Sequence, residues 1–258
     1  VGGRITEEDV RKVSGSMTKT ISLERKEDSS LLKLAPEAKI VRKYDFYGFI
    51  DRIPLKGIRK ATARRMVESA FSAPHVTHMD DVDVTDLWKL REKEKAKAQK
   101  KGVHITFLPF VTKAAIASLK EYPYVNASLD VEHEEIILKK YYNIGIAMDA
   151  GEGLIVPVIK EAQDKSILQI AQELQDLEKK VQEKKIDLAD LKGNTFTITN
   201  VGTIGGRYAT PIINPPDVAI IAIGKIKDEA VINEKGKIEV RKIMPFSLSF
   251  DHRVVDGA

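Results

Sequence analysis

The chain has no cysteine, and this absence excludes several kinds of chemistry. Without thiols there is no disulfide framework, no cysteine nucleophile and no thiolate metal site. The absence also fits a reducing compartment. We therefore expect a cytoplasmic protein, or one of the mitochondrial matrix if the source is eukaryotic.

Long apolar runs and an excess of one charge are also missing. No stretch approaches the roughly 20 apolar residues that a helix needs to cross a bilayer, so we expect no membrane partner. The 42 basic residues are interleaved with 38 acidic ones, for a net charge of +4. This mixture argues against nucleic-acid binding, which uses segregated basic surfaces. With 258 residues, 43% of them hydrophobic, the chain can bury a core of about 200 residues plus an appendage.

The last residues carry the strongest chemical signal. Between Phe246 and Phe250 apolar residues alternate with serines, which predicts a half-buried strand. The strand leads to His252, and Asp256 and Gly257 follow. An imidazole can take a proton from a thiol or hydroxyl and return it later. A nearby carboxylate could orient the imidazole or pair with an arginine, and the spacing alone does not decide between these roles.

Two stretches resemble a known family. Asp-His-Arg-Val-Val-Asp-Gly-Ala, after Pro-Phe-Ser-Leu-Ser-Phe, resembles the active-site signature of the dihydrolipoamide acyltransferases, the E2 cores of 2-oxoacid dehydrogenase complexes. The same His-x-x-x-Asp-Gly skeleton occurs in chloramphenicol acetyltransferases. The stretch that begins at Thr195 and continues through Thr-Pro-Ile-Ile-Asn-Pro-Pro is similar to a second family segment. The resemblance covers residues 52–258 and implies an α/β (α+β) fold, a chloramphenicol-acetyltransferase-like mixed sheet flanked by helices that forms trimers.

The resemblance also implies roles for four residues. His252 would deprotonate the thiol of coenzyme A, and the hydroxyl of Thr199 would hydrogen-bond the oxyanion of the tetrahedral intermediate. Asp256 would pair with Arg59 and thereby hold the catalytic loop. His252 of one subunit would meet Thr199 of the next in a channel of the trimer, and trimers would assemble into a larger hollow particle.

The implied reaction transfers an acyl group between dihydrolipoyllysine and coenzyme A. Coenzyme A is then a substrate, the lipoyl group belongs to a domain absent from this chain, and no metal takes part. The partners in the intact protein would be the E1 decarboxylase and the E3 dihydrolipoamide dehydrogenase. Thr-Asn-Val-Gly-Thr-Ile-Gly-Gly with Pro-Pro-Asp-Val-Ala looks more like branched-chain and pyruvate-type enzymes than like succinyltransferases. An O-acetyltransferase of the chloramphenicol type and a scaffold without catalysis remain the alternatives.

Three regions are expected along the chain. Residues 1–14 contain Gly-Gly-Arg-Ile-Thr-x-x-Asp-Val and resemble the C-terminal tail of a peripheral subunit-binding domain, too little of it to bind a partner. Residues 15–50 are rich in Ser, Lys, Glu and Asp, which predicts a flexible linker with an aromatic entry strand near its end. Residues 51–258 would be the catalytic domain, without the C-terminal helix with which the family normally continues.

Hydrophobic periodicity, together with capping and turn residues, predicts the secondary-structure elements of this domain. A capping box, Ser-Ile-Leu-Gln, opens the clearest helix at Ser166. The other predicted helices cover residues 53–70, 87–101 and 110–119. The predicted strands cover residues 75–85, 136–148 as a pair, 154–159 interrupted by Pro157, 195–199 and 218–224, with a hairpin over 230–242.

Two apparent motifs are interpreted as structural. His75 and His78 stand three residues apart, but on a strand this spacing turns the rings to opposite faces, and no third ligand is evident. Glycines 202, 205 and 206 lack the spacing and the βαβ frame of a dinucleotide fingerprint. They indicate a turn in which two backbones approach each other.

Overall fold

The computed structural model describes residues 40–257. The chain divides into two compact units between Pro54 and Leu55. Residues 1–39 lie outside the described residues, and with them the predicted tail of the subunit-binding domain and most of the predicted linker. The two units are therefore described separately, beginning with residues 40–54.

The smaller unit contains a two-stranded antiparallel hairpin, made of β1 (Val41–Tyr44) and β2 (Phe49–Arg52). Arg42 and Asp51 face each other across the strands and form an ion pair at 3.0 Å. The aromatic residues that predict one entry strand thus lie in a hairpin. This hairpin crosses the boundary that the sequence suggests between residues 50 and 51.

Helices of the larger unit follow the predicted order. In residues 55–257 the α-helices are α1 (Gly57–Ser72), α2 (Thr85–Gln99), α3 (Leu108–Glu121) and α4 (Ile167–Gln182). The helix predicted from residue 53 begins only at Gly57. Ile53 precedes a proline and is therefore disfavoured in the α conformation, and Lys56 at the N-cap is extended. No helix within residues 40–257 has both the length and the apolar character needed to span a membrane.

The main sheet is mixed and has seven strands, in the order β12–β13–β11–β10–β6–β9, with β3 paired to β13. Its strands are β3 (His75–Asp83), β6 (Ile144–Ile146), β9 (Val158–Ile159), β10 (Phe196–Asn200), β11 (Ala219–Ile223), β12 (Lys227–Ile232) and β13 (Ile238–Asp251). Strand β10 runs parallel to β6 and β11, and the other pairs are antiparallel. The mixed sheet flanked by helices is confirmed. Strand β9 lies at its edge, directly after Pro157, which has no backbone N–H to donate to a neighbouring strand.

Two small hairpins correct one prediction. They pair β4 (Ala127–Asp130) with β5 (Glu135–Leu138), and β7 (Met148–Asp149) with β8 (Leu154–Ile155). The prediction that residues 136–148 form a strand pair is therefore wrong. Strand β5 pairs with the preceding strand β4, and β6 joins the main sheet. The reason is local, because the carboxylate of Asp130 accepts the backbone N–H groups of Glu132 and His133 and closes a tight turn.

One face of the main sheet packs against helices α3 and α4. Ile198 of β10 and Phe250 of β13 lie in a common core with Ile116 of α3 and Ile170 of α4. The capping box of α4 is present as predicted, with the Ser166 hydroxyl accepting the N–H of the third helical residue. This packing leaves the opposite face of the sheet for polar side chains.

That opposite face is buried as well, which alternation alone does not predict. Ser247 and Ser249 of β13 are fully buried, more so than the apolar neighbours Phe246 and Leu248. The hydroxyl of Ser249 bonds that of Thr77 at 2.7 Å, and Ser247 accepts the backbone N–H of Ala209 at 3.1 Å. Small hydroxyl side chains let the segment around Ala209 lie close to the sheet.

The glycine-rich segment after β10 makes a close backbone crossing. A Cβ at Gly202 would lie 2.6 Å from the carbonyl oxygen of Gly224, and a Cβ at Gly224 would lie 2.0 Å from that of Arg207. The predicted approach of two backbones is confirmed. Contrary to expectation, a βαβ unit of β6, α4 and β10 does precede the glycines, but Gly202 begins a 3₁₀ turn (Gly202–Ile204) and not an α-helix. No helix N-terminus is therefore present there to hold a phosphate.

Candidate active site

The turn that follows β13 carries His252 out of the sheet. The backbone N–H of Asp251 donates to the carbonyl of Val218 at 2.8 Å, and that of His252 donates to Pro74 at 3.0 Å. The carbonyl of Asp251 accepts the N–H of Val254 at 3.0 Å and closes the turn. The backbone on both sides of His252 is thus held by separate segments, while the imidazole side chain remains 47% exposed.

An ion pair inside this turn holds it from within. The carboxylate of Asp251 is almost fully buried and accepts two hydrogen bonds from the Arg253 guanidinium, from Nε at 3.0 Å and from Nη2 at 2.7 Å. These bonds raise the pKa of Arg253 above its ordinary value. This pair was not predicted from the sequence, although an acid and a base two residues apart at a strand end are a signal for it. A fork-shaped pair of this kind is geometrically specific.

The structure does not bring Asp256 and Arg59 together. The Asp256 side chain is 90% exposed, and its Oδ1 lies 3.6 Å from Nδ1 of His252, beyond hydrogen-bond distance. Arg59 is exposed on α1 and makes no ion pair with any residue in 40–257. Within the described residues, Asp251 and Arg253 form the ion pair of this turn, whereas the expected pair of Asp256 and Arg59 is not formed in the single chain.

The three threonines of the β10 segment share one face, as their spacing predicts. The Thr195 hydroxyl donates to the carbonyl of Asn143 at 3.2 Å, and the Thr197 hydroxyl donates to Asp217 at 2.7 Å. Thr199 is only partly buried, and its hydroxyl bonds no other residue in the described part of the chain. It is therefore the hydroxyl of this face that is available to a bound molecule.

Within a single chain, Thr199 and His252 are far apart. The strand register aligns Thr199 with Ala222 and Ala222 with Ser247, two strand spacings away. His252 lies five positions beyond Ser247 along the chain. At about 3.3 Å per residue and about 4.8 Å per strand, the separation is about 17 Å along the sheet and about 10 Å across it. One chain therefore cannot place both side chains on one reacting atom.

The carboxyl group of Asp217 is buried between strand β10, which carries Thr199, and the turn that carries His252. Asp217 precedes β11, and its Oδ2 accepts hydrogen bonds from the Thr197 hydroxyl at 2.7 Å and from the Asn194 amide at 2.6 Å. Its Oδ1 is buried and bonds no described residue. Burial raises the pKa of Asp217 to about 6, against the opposing effects of Thr197 and the nearby ammonium of Lys139. The sequence analysis assigned this residue no role, and its position between two prolines and a buried strand was the available signal.

The raised pKa of Asp217 predicts a pH-dependent gain in stability on substitution. A carboxyl whose pKa is higher in the folded protein destabilises the fold when ionised; the cost is absent below the ordinary pKa of 3.8 and complete above about 6. We expect Asp217→Asn to raise the free energy of unfolding at pH 8 by up to about 3 kcal/mol. This value follows because the pKa of Asp217 in the folded protein lies about two above its ordinary value, and a difference of one corresponds to about 1.4 kcal/mol. The gain should vanish near pH 4.

Urea unfolding between pH 4 and pH 8 measures this difference. Asp187→Asn is the matched control, because Asp187 is exposed and the same chemical change there removes no buried charge. A difference between Asp217→Asn and the native chain that does not change with pH would contradict an ionisable, destabilising carboxyl at this position.

A cavity of about 280 Å³ lies beside the His252 turn, and its lining includes Pro74, His75 and Thr210. Both ring nitrogens of His75 form hydrogen bonds with backbone groups. Nδ1 donates to the carbonyl of Ala73 at 2.7 Å, and Nε2 accepts the N–H of Ile213 at 3.0 Å. His75 therefore supports the cavity wall, and residues 40–257 contain no cluster of His, Cys, Asp and Glu suited to a metal ion.

Comparisons with known proteins agree with this architecture. The family model of 2-oxoacid dehydrogenases acyltransferase (catalytic domain) matches residues 49–258. The dihydrolipoyllysine-residue acetyltransferase component of the pyruvate dehydrogenase complex of Staphylococcus aureus is 42% identical over 260 residues, which cover 99% of this chain and 60% of that protein. The chain therefore spans less than two thirds of that curated relative.

Solved structures share the fold. The Azotobacter vinelandii dihydrolipoamide acetyltransferase, studied for the roles of a serine, a histidine and an asparagine in its mechanism, has a TM-score of 0.80 and 40% identity, with 84% of this chain and 90% of that one covered. The cubic core of a pyruvate dehydrogenase multienzyme complex has a TM-score of 0.80 and 39% identity over the same shares. The chain belongs to the 2-oxoacid dehydrogenase acyltransferase family, as its catalytic domain.

Proposed function

We propose that this chain transfers an acetyl group between a dihydrolipoyl thiol and the thiol of coenzyme A. The observation that carries the proposal is the half-exposed imidazole of His252 on a turn whose backbone is held independently of that side chain. Such a group is placed to accept a proton from a substrate, since it is rigidly carried and accessible. Family membership supports the same chemistry.

The proposed reaction proceeds through one tetrahedral intermediate. His252 takes the proton from the coenzyme A thiol, and the thiolate attacks the thioester carbonyl of the acyl-dihydrolipoyl group. The carbonyl oxygen becomes an oxyanion, which accepts a hydrogen bond from Thr199, a donor worth about 3–4 kcal/mol in such a site. The carbon–sulfur bond to the dihydrolipoyl group then breaks, and the imidazolium returns its proton to that sulfur. No covalent enzyme intermediate forms, consistent with a chain without cysteine.

The site is proposed to form between two copies of the chain. His252 and Thr199 are separated by about 20 Å in the plane of the sheet of one chain, so His252 acts with Thr199 of a neighbouring copy. A head-to-tail arrangement of this kind closes into a ring when the rotation permits, and a trimer is the smallest such ring beyond a dimer. The match to a cubic core supports assembly of trimers into a hollow particle.

Acetyl is the proposed acyl group, because the relatives are named as acetyltransferases of pyruvate dehydrogenase complexes. This narrows the branched-chain or pyruvate-type expectation to the pyruvate type. Coenzyme A and the lipoyl group are the substrates, and the proposed partners of the longer protein are the E1 and E3 components of that complex. By analogy with these bacterial relatives, we propose a cytoplasmic location.

Acyl transfer from acetyl-, isobutyryl- and succinyl-coenzyme A to free dihydrolipoamide tests the proposal directly. We expect transfer from acetyl-coenzyme A to be fastest. A preference for isobutyryl or succinyl would keep the reaction class and change the complex. A folded protein that transfers none of them to dihydrolipoamide would refute the activity, and transfer to chloramphenicol instead would favour an O-acetyltransferase.

The charge of Asp256 is expected to matter little to this reaction. In the Azotobacter vinelandii protein, the asparagine studied for its catalytic role stands four residues beyond the histidine, the spacing of Asp256 and His252 here. The Asp256 carboxylate is 90% exposed, so solvent weakens any electrostatic effect on the imidazole. We expect Asp256→Asn to keep kcat within about fivefold of the native value. A hundredfold loss in this variant would instead show that the negative charge is required.

A further inference from the structure

Asp217 is the buried group that joins the strand of Thr199 to the turn of His252. We propose that Asp217 is a positioning residue for the acyl transfer, which holds the His252 turn in place by anchoring the start of β11 to β10. This inference rests on the proposed function in naming the reaction, but the geometry that it describes can be measured without activity.

The first link runs from β10 to Asp217. One oxygen, Oδ2, receives both the Thr197 hydroxyl at 2.7 Å and the Asn194 amide at 2.6 Å. Thr197 is fully buried, and Asn194 and Asp217 are nearly so. Removal of this oxygen would leave the buried Thr197 hydroxyl without an acceptor and the Asn194 amide with only a long contact, at 3.5 Å, to the Thr197 hydroxyl oxygen. Buried donors in this condition move to find another partner. The position of Asp217 relative to β10 is therefore set by these two bonds.

The second link runs from Asp217 to the turn through the next residue. The carbonyl of Val218 accepts the N–H of Asp251 at 2.8 Å, immediately before His252. The Val218 side chain packs with Val254, on the far side of His252, in a small buried cluster. Val218 thus holds the turn at both ends. A shift at Asp217 would reach His252 through one covalent neighbour, without any contact between the carboxyl and the substrate.

Only one oxygen of the carboxyl carries this role. Oδ1 bonds no described residue, and the charged group that acts on Asp217 from the β5 side is Lys139, which is only partly buried. An asparagine keeps an acceptor oxygen for Thr197 and Asn194, whereas the apolar side chain of valine keeps none. The structure therefore separates the acceptor function, which is needed, from the charge, which is not.

Three variants test the inference in the full chain. We expect Asp217→Val to lower kcat about tenfold to a hundredfold, the effect of misplacing a catalytic group by about 1 Å, with the KM for coenzyme A changed less than about twofold. Asp217→Asn should restore kcat to within about threefold of the native value. Thr197→Val removes one donor and should give a smaller loss of kcat, and it replaces Asp217→Val if that variant fails to fold.

Hydrogen exchange of the segment 246–257 gives a readout that needs no activity. Faster exchange at Asp251 and Val254 is expected in Asp217→Val and Thr197→Val, and not in Asp217→Asn. Thr112→Val is the matched control, because Thr112 is equally buried but lies on α3, and its hydroxyl bonds no described residue.

The outcomes separate the two hypotheses. A native protein without acyl transfer refutes the proposed function, and the exchange pattern still decides the positioning role. Unchanged exchange and unchanged kcat in Asp217→Val overturn the inference, as does a loss of kcat in Asp217→Val that Asp217→Asn fails to restore.

Discussion

Replacement of His252 by alanine is expected to lower kcat for acyl transfer by about 10²–10⁴, the usual contribution of a positioned acid–base group. The KM for coenzyme A should change little, because the proposed role of the imidazole is proton transfer during the reaction and not the binding of coenzyme A. The variant should fold, since the turn is held by backbone bonds to Val218 and Pro74 and by the Asp251–Arg253 pair, none of which uses the imidazole. Initial rates of acetyl transfer to dihydrolipoamide measure the effect.

His133→Ala is the matched control for this loss. His133 is an exposed histidine that pairs with Asp130 in the turn between β4 and β5, so its removal should leave kcat unchanged. A His252→Ala variant that retains more than about a tenth of the native kcat would exclude the proposed general base.

Mixing two inactive variants extends this prediction to the subunit arrangement. Thr199→Ala should lower kcat by about 10²–10³ through loss of an oxyanion donor. When His252→Ala and Thr199→Ala chains are co-expressed, a site that takes one residue from each of two copies is complete in about a quarter of random pairings. Activity should then return to about a quarter of the native level. Mixed particles as inactive as their parents would instead place both groups in one chain.

Gly224→Ala is expected to destabilise the fold more than any other single methyl addition at the glycines described here. Its Cβ would lie 2.0 Å from the carbonyl oxygen of Arg207 and 2.7 Å from a ring carbon of Pro245. The Gly224 N–H also donates to Pro245 at 2.8 Å, and Lys225 bonds Gly206 at 2.9 Å. The backbone on both sides is thus tied in place. We expect a loss of at least about 4 kcal/mol in the free energy of unfolding.

Urea unfolding followed by circular dichroism checks this value where the variant can be purified, and the soluble yield reports it where it cannot. Gly48→Ala provides the comparison, since a Cβ at Gly48 meets no atom within 4 Å. Its cost should remain below about 1 kcal/mol. A Gly224→Ala protein of near-native stability would mean that the crossing at Arg207 opens easily.

Several elements of the fold follow from signals a few residues long. Ser166 and Gln169 form the capping box that starts α4, and Pro157 splits the strand that lies at the sheet edge. The alternation in β10 correctly separates Thr195, Thr197 and Thr199 from the core face. These predictions hold because each depends on neighbours along the chain, whose geometry the backbone period sets directly.

Only part of the candidate site could be predicted from short signals in the sequence. The signature at the chain's end identified His252, and the second resembling segment identified Thr199. The spacing of Asp251 and Arg253 was a signal for their ion pair, but nothing in either segment indicated that Asp256 would remain at the surface. Which of the two nearby acids, Asp251 or Asp256, is buried depends on the direction in which each side chain points at the end of β13. That direction is set by the pairing of β13 in the sheet.

Strand pairing and burial were decided by the tertiary structure. Periodicity cannot show that β6 joins the main sheet beside β10, that the serines of β13 are covered by the segment around Ala209, or that Asp217 lies buried against Thr197. Each of these contacts joins residues that are distant in the chain, so it depends on strand order and register, which a local pattern does not encode. The amino-acid order alone was enough for the start of α4, the strand faces and the identity of the histidine. Packing alone decided how those parts meet.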